Sequence, residues 1–262
     1  AIGAVERYIR DFPNSTRKQE AYGFLLEVYM SSKNYERALN ALERIEDKTL
    51  PVQQAYQIVA YNRGVELFRT GDYQKALPYF DAVRTYAVDP VLTAESHFWQ
   101  GELSYLLKKY TDATGHYAAF ESSPGAYQSE HYEDGIYARG YALFKRKLYI
   151  DALSAFRSYL KAAPNAQANK VKDAKLRTAD CFFAKKDFEA ASKYYNEVIE
   201  SSALTEDYAR LQNAECMGSL DRPLDEIEAL KSLILIAPQS SYIPEALYSL
   251  GRSLIETNQL VS

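Results

Sequence analysis

Reactive and cross-linking residues are scarce in this 262-residue chain, which has two cysteines, three histidines, two methionines and one tryptophan. His97, His116 and His131 are too few and too scattered for a metal centre. No H-E-x-x-H, C-x-x-C, Walker-type glycine loop or G-x-S-x-G elbow accompanies them. No catalytic residue set, metal site or cofactor is therefore expected, and the chain reads as a non-enzyme. Glycine (11) and proline (9) are also few, and no Ser/Gly-rich or charge-only stretch divides the chain into two globular halves. Cationic excess is missing too. Thirty-one Lys and Arg face 35 Asp and Glu, giving a net charge of −4 and a pI of about 5.6, against the basic character of general nucleic-acid binders. No apolar run reaches the length of a membrane span, so none is expected. The opening segment AIGAVERYIRDFPNS lacks a signal-peptide core and reads as an amphipathic helix. It also has no initiating Met, so the chain is expected to be an excerpt or a processed form.

What the chain has in quantity is apolar surface (47% hydrophobic residues) and tyrosine, 23 against 11 Phe. Tyrosine joins an apolar ring to a polar tip and suits half-buried positions. These residues recur with a period. Tyr35, Tyr73, Tyr110, Tyr149 and Phe188 lie 38, 37, 39 and 39 residues apart. Three residues after each stands Ala38, Ala76, Ala113, Ala152 or Ala191. Seven after stands Leu42, Phe80, Tyr117, Phe156 or Tyr195, and ten after Ile45, Val83, Phe120, Tyr159 or Val198. Nine before stands Leu26, Gly64, Gly101, Gly140 or Ala179. Offsets of 3, 7 and 10 share one helical face. The alanine and the preceding small residue let two helices approach closely, and the aromatic opens the second helix and packs back on the first. Between them comes a short turn such as Thr70-Gly71-Asp72-Tyr73, with Gly71 suited to a helix C-terminus. Cys181 and Cys216 fall at equivalent places in neighbouring repeats and are expected to be free helical thiols. Equivalent helices sit about 8–10 Å apart, beyond the roughly 7 Å that a disulfide spans between α-carbons.

Segments such as YNRGVELFRTGDYQKALPYF and YARGYALFKRKLYIDALSAF resemble the tetratricopeptide family, in which a proline often closes the second helix, as Pro13, Pro164 and Pro238 do here. The repeats exceed the family's roughly 34 residues, and the surplus is expected to lengthen a helix or an inter-repeat loop. Long repeats ending in PNS-like turns resemble tetratricopeptide proteins of the bacterial envelope, such as lipoproteins of outer-membrane assembly. That favours the periplasm or outer membrane over the cytoplasm. The resemblance implies an all-α fold, a right-handed superhelical α-solenoid of about 14 helices in antiparallel pairs. Residues 1–13 form a half repeat, 19–47, 57–85, 94–122, 133–161 and 172–200 full repeats, 207–236 a degenerate repeat and 244–259 a further half repeat. In the degenerate repeat Pro223 replaces the aromatic and Glu226 the alanine, with Asp221 as the expected N-cap. Both ends cut a repeat, whereas true solenoid ends carry polar capping repeats, so the parent protein is expected to continue, at least after Ser262.

In the family the first helices line an inner, concave face. With the alanine as position 20, inner positions 2, 5, 9 and 12 supply the candidate partner-binding residues Tyr61, Phe68, Phe98, Glu102, Tyr105, Tyr137, Tyr141, Phe144, Asp180, Phe183 and Glu215. Rings interleaved with carboxylates suit a protein or extended peptide with basic or apolar side chains. The family's Lys/Asn/Arg clamp for a C-terminal carboxylate is absent: position 9 carries Glu27, Val65, Glu102, Tyr141, Asp180 and Glu215. The position-2 acids Glu20, Glu95, Asp134, Asp173 and Glu245 are expected in first helical turns, where they meet the positive end of the dipole. Lys108-Lys109, Lys145-Arg146-Lys147 and Lys185-Lys186 fall where first helices end, and stacking would also align them into a basic edge. Trp99 reads as a packing residue. The expected function is a non-catalytic protein-interaction scaffold. Stacked tyrosines could alternatively serve a glycan or cell-wall chain, and the lysine edge an anionic surface.

Overall fold

The computed structural model describes residues 2–163, 167–201 and 205–258; Pro164 lies outside them. Among the described residues are fourteen α-helices, one 3-10 turn and no strand. The helices are α1 (Ile2–Asp11), α2 (Lys18–Ser31), α3 (Tyr35–Glu43), α4 (Leu50–Arg69), α5 (Tyr73–Val83), α6 (Pro90–Leu106), α7 (Tyr110–Ser122), α8 (Tyr132–Lys145), α9 (Tyr149–Ala162), α10 (Ala168–Ala184), α11 (Phe188–Glu200), α12 (Asp207–Ser219), α13 (Pro223–Ile236) and α14 (Ile243–Glu256). The 3-10 turn, Ala126–Gln128, lies between α7 and α8. The chain divides into two compact units, residues 1–135 and 136–262.

Each periodic aromatic is the first residue of its helix, and Pro223 opens α13 in the same way. The turn ahead of each explains why. Lys33, Gly71, Lys108, Lys147, Lys186 and Asp221 are all left-handed, with φ between 54° and 83°. In every case that residue's N–H donates to the carbonyl three residues back and the next N–H to the carbonyl five back, as Lys108 does to Tyr105 (2.9 Å) and Lys109 to Ser104 (2.8 Å). This closes the orphan carbonyls of the first helix and reverses the chain. Glycine fills the left-handed position once and lysine four times; a cation at a helix C-terminus offsets part of that strain. Asp221 is a correction to the sequence-based expectation. Its backbone is committed to the left-handed turn, Arg222 takes the N-cap place of α13, and no side chain caps that helix.

Within the units α2 packs on α3, α4 on α5, α6 on α7, α10 on α11 and α12 on α13, and successive pairs pack through α3–α4, α5–α6, α9–α10, α11–α12 and α13–α14. The residues three, seven and ten after each opening aromatic form the core. Ala76, Phe80, Ala113, Tyr117, Phe120, Ala152, Phe156, Ala191 and Tyr195 have no exposed surface. Each such ring contributes on the order of 3 kcal/mol through burial. Position-8 glycines bring the paired helices into close approach. A Cβ on Gly64 would lie 2.8 Å from the Phe80 ring, on Gly101 2.5 Å from Tyr117, and on Gly140 2.8 Å from Phe156.

Surplus residues lengthen the N-terminal ends of first helices: α4, α6 and α10 have 20, 17 and 17 residues. In α6 the Asp89 carboxylate accepts from the N–H groups of Val91 (2.7 Å) and Leu92 (3.2 Å), and Pro90 takes the first helical place. This early start moves Glu95 and Asp173 past the first turn, contrary to expectation, while Glu20, Asp134 and Glu245 do lie in first turns.

Candidate partner-binding face

In unit 1 the side chains of successive first helices are tied together by tyrosine–carboxylate pairs. The Tyr61 hydroxyl, on α4, donates to Glu95 on α6 and accepts from the indole N–H of Trp99 at 3.0 Å. Glu95 is buried and also accepts from Ser129 Oγ at 2.9 Å, in the loop before α8. That loop presses on the start of α6 so closely that a Cβ on Gly125 would sit 2.1 Å from the Pro90 carbonyl oxygen. It brings the His131 ring flat onto Phe98, with centroids 4.5 Å apart, while Trp99 meets Phe68, Phe98 and His131 edge-on at 4.9, 5.3 and 5.2 Å. Glu102 accepts from the Tyr117 hydroxyl at 2.6 Å, and Tyr105 packs edge-on against Tyr110. Burial first, and the neighbouring carboxylates after it, push the Tyr61 and Tyr117 hydroxyls well above the usual tyrosine value, so both stay neutral donors.

Unit 2 carries a longer network. Tyr137 (2.6 Å) and Tyr141, both on α8, donate to Asp173 on α10, and their ring centroids are 5.1 Å apart. Arg177, one turn beyond Asp173, lies 3.6 Å from that carboxylate, donates to the Tyr141 hydroxyl at 3.3 Å and to Asp180 at 2.6 Å. Its guanidinium sits 6.0 Å from the Tyr141 ring centroid. Asp180 is 7% exposed and also accepts from Tyr195 (2.8 Å) and Tyr208 (3.0 Å). Burial raises the Asp180 carboxyl above the usual range, and Arg177 and the two hydroxyls oppose it. Asp180 therefore holds α10, α11 and α12 together from within.

Among the eleven residues expected from the sequence, Phe98 and Asp180 are buried and the other nine half-buried. The structure gathers Tyr61, Phe68 and Phe98 around Trp99, and joins Tyr137, Tyr141 and Asp180 through Asp173 and Arg177. Tyr105, Phe144 and Phe183 each lean on the aromatic opening their own second helix: Tyr110, Tyr149 and Phe188. Glu215 stands apart, meeting Ser249 on α14 and Arg252 at 3.6 Å. Sequence reasoning missed Arg177, Ser129 and His131, and took Trp99 for packing alone. It also missed a pairing legible in the columns. In two repeats an acid at position 9 meets a tyrosine at position 24 (Glu102 with Tyr117, Asp180 with Tyr195), and where position 9 is Val65 or Tyr141, position 24 is Phe80 or Phe156; the outer repeats depart from this, with Glu27 and Glu215 matched by Leu42 and Leu230. The acids satisfy buried hydroxyls that phenylalanine does not have.

Among the described residues no group of three or more His, Cys, Asp or Glu is placed to hold a metal ion, and no helix is long and apolar enough to cross a membrane. Cys181 and Cys216 are free and buried, and burial pushes both thiols up to about 12.

Stacked helix pairs with ring-filled glycine notches and hydroxyl–carboxylate struts between first helices define a helical-repeat scaffold. The chain belongs to the tetratricopeptide repeat family, whose model matches residues 61–127 and 137–204, more than half of the chain. No curated protein matches it by sequence. Solved structures share the fold at low identity. YrrB, a TPR protein with an unusual peptide-binding site, superposes with TM-score 0.62 at 17% identity, covering 82% of this chain and 97% of that one. PilW, a type IV pilus biogenesis factor, gives 0.54 at 14% identity over 89% and 100%. PilF of Pseudomonas aeruginosa gives 0.52 at 16% identity over 87% and 95%.

Proposed function

We propose that the chain is a non-catalytic scaffold that holds a protein or extended peptide on the first-helix face of each unit. One observation carries this reading: half-exposed tyrosine and phenylalanine rings recur at equivalent positions of successive first helices, Tyr61, Tyr137 and Tyr141 held there by carboxylates and Phe68, Tyr105, Phe144 and Phe183 by neighbouring rings. Rings that cannot change rotamer lose little entropy when a ligand covers them. Tyr61, Phe68 and Tyr105 offer such surface in unit 1, and Tyr137, Tyr141, Phe144 and Phe183 in unit 2, with Phe98 and Asp180 supporting from beneath. Glu102 and Glu215 add negative charge, so the favoured ligand carries apolar side chains with Lys or Arg between them, in the manner of Arg177 over Tyr141. A bacterial cell-envelope setting, periplasmic or outer-membrane-associated, belongs to the same proposal. It rests on the long repeats and on a fold shared with PilW.

A fluorescein-labelled octapeptide of alternating Lys and Leu is a direct probe. The intact chain should bind it, and unit 2 of a Tyr137→Ala/Tyr141→Ala/Phe144→Ala variant should bind it at least about tenfold more weakly, the loss expected when central aromatic anchors are truncated. Unchanged binding in a variant whose circular dichroism is native would refute the first-helix face as the binding surface.

A further inference from the structure

The first three helices form a second recessed surface, distinct from the aromatic face. Helices α1 and α3 wall a cleft of about 430 Å³ whose floor is α2. The floor is apolar and closed: Tyr22, Leu25 and Tyr29 are all buried. The rim is cationic. Arg10 projects from α1 and Arg37 from α3, and Arg44 is the residue that caps the end of α3. Arg37 and Arg44 are seven residues apart, two helical turns, and so share one face.

Little in the fold accounts for three guanidinium groups around one cleft. Helix α3 is held by Ala38 and Leu42, which have no exposed surface. The cleft's one carboxylate is Glu6, and the Tyr29 hydroxyl already donates to it. Arg10 meets Asp11 at 3.1 Å, an exposed pair of neighbours in sequence that contributes little. Arg37 meets the Tyr29 hydroxyl that donates to Glu6, and among the described residues no carboxylate lies within ion-pair distance of Arg37 or Arg44. Three guanidinium groups around a single cleft carboxylate leave the rim net positive, and an arriving anion reduces their mutual repulsion while gaining forked hydrogen bonds, which guanidinium groups form well with carboxylates. In a chain of net charge −4, this concentration of arginine is local.

We infer that the α1–α2–α3 cleft docks an acidic peptide segment. Its carboxylates pair with Arg10, Arg37 and Arg44, and an apolar side chain between them rests on the floor at Leu25. The site selects the opposite charge to the first-helix face, so one chain joins an acidic segment to a basic one.

The probe is a fluorescein-labelled octapeptide of alternating Glu and Leu, titrated against the intact chain by fluorescence anisotropy. Saturable binding is expected, falling at least about tenfold as NaCl rises from roughly 50 to 500 mM because the pairs sit at an accessible rim. Arg37→Glu/Arg44→Glu should weaken it by at least about tenfold and Arg37→Gln/Arg44→Gln by less, since charge reversal repels where neutralisation only removes attraction. Both side chains are exposed, so the variants should keep the native melting profile. Absence of binding to the intact chain, or equal binding by the charge-reversed variant, overturns the site. The Lys/Leu probe reports independently. Loss of one probe's binding with retention of the other's separates failure of this cleft from failure of the aromatic face.

Discussion

Glycines at position 8 give a pair of substitutions with opposite expected signs. Alanine is favoured over glycine in a helix interior by about 1 kcal/mol. At Gly251 an added Cβ meets nothing within 4 Å, so Gly251→Ala should stabilise α14 by about 0.5–1 kcal/mol. At Gly101 the same methyl would lie 2.5, 2.6 and 2.9 Å from three atoms of the Tyr117 ring. That ring has no exposed surface and its hydroxyl is anchored on Glu102. Moving it sacrifices the hydrogen bond to a charged acceptor, about 1.5–3 kcal/mol, and forcing the helices apart costs about 1–3 kcal/mol. Either route offsets the propensity gain, leaving a net loss of up to about 2 kcal/mol. Urea unfolding is the assay. The sole tryptophan, Trp99, packs on Phe98 and Phe68 beside Gly101 and reports unit 1 by fluorescence, while hydrogen exchange reads α14. In a Tyr117→Leu background the notch is relieved, and Gly101→Ala should become neutral or stabilising. A stabilising effect of Gly101→Ala in the native background, or a penalty that persists in the Leu background, would show that the ring-in-notch contact does not set the helix spacing.

Other expectations follow from buried polar groups and turns. Burial, with Arg84 and His116 nearby, lowers His97 to about 4, against 6.5 in an unfolded chain. The folded state holds the neutral form, so this stability is fully present above about pH 6.5 and is lost as the pH falls toward 4; the imidazole should titrate near 4 by NMR, His97→Gln should flatten the slope, and a midpoint near 6.5 would contradict the burial. Asp180→Ala strands Arg177, Tyr195 and Tyr208 and should cost about 3–5 kcal/mol in urea unfolding, with a loss under about 1 kcal/mol counting against a structural role. Lys147→Gly relieves a left-handed residue worth about 1 kcal/mol and loses a dipole contribution of about 0.3 kcal/mol. It should therefore raise the unfolding free energy by about 0.5 kcal/mol, and a measured decrease would refute that balance.

Helix starts and turns were legible because their causes are local and repeated. The aromatic that opens each of four second helices packs on the ring five residues before it, across one turn, and the ring seven residues after Tyr73, Tyr110 and Tyr149 fills the notch of the small residue, so column spacing alone locates them. Asp221 misled for a local reason as well: aspartate is a good N-cap, but the turn that ends α12 claims its backbone first. The acids at position 2 misled because the period counts surplus residues without saying where they go, and α6 and α10 placed them before Glu95 and Asp173. The carboxylates' work lies between helices, at distances no single-helix pattern encodes.

That work also accounts for the surplus of tyrosine. Tyr61 reaches Glu95, Tyr137 and Tyr141 reach Asp173, and Tyr208 reaches Asp180, each time bridging first helices of successive repeats. Tyr117 and Tyr195 instead bond within their own repeats. The two kinds of hydroxyl fix different things. Intra-repeat bonds set how a second helix sits on its first, which alanine and the glycine notch already largely determine. Inter-repeat bonds set the angle between neighbouring first helices, where Ala and Gly columns place no constraint. A phenylalanine at Tyr117 or Tyr195 therefore removes one hydrogen bond to a carboxylate and lowers stability. A phenylalanine at Tyr61 or Tyr137 additionally frees the spacing of the rings that make up the binding face. The chemistry that reads as a ligand surface in the sequence is thus first the means by which that surface keeps its shape.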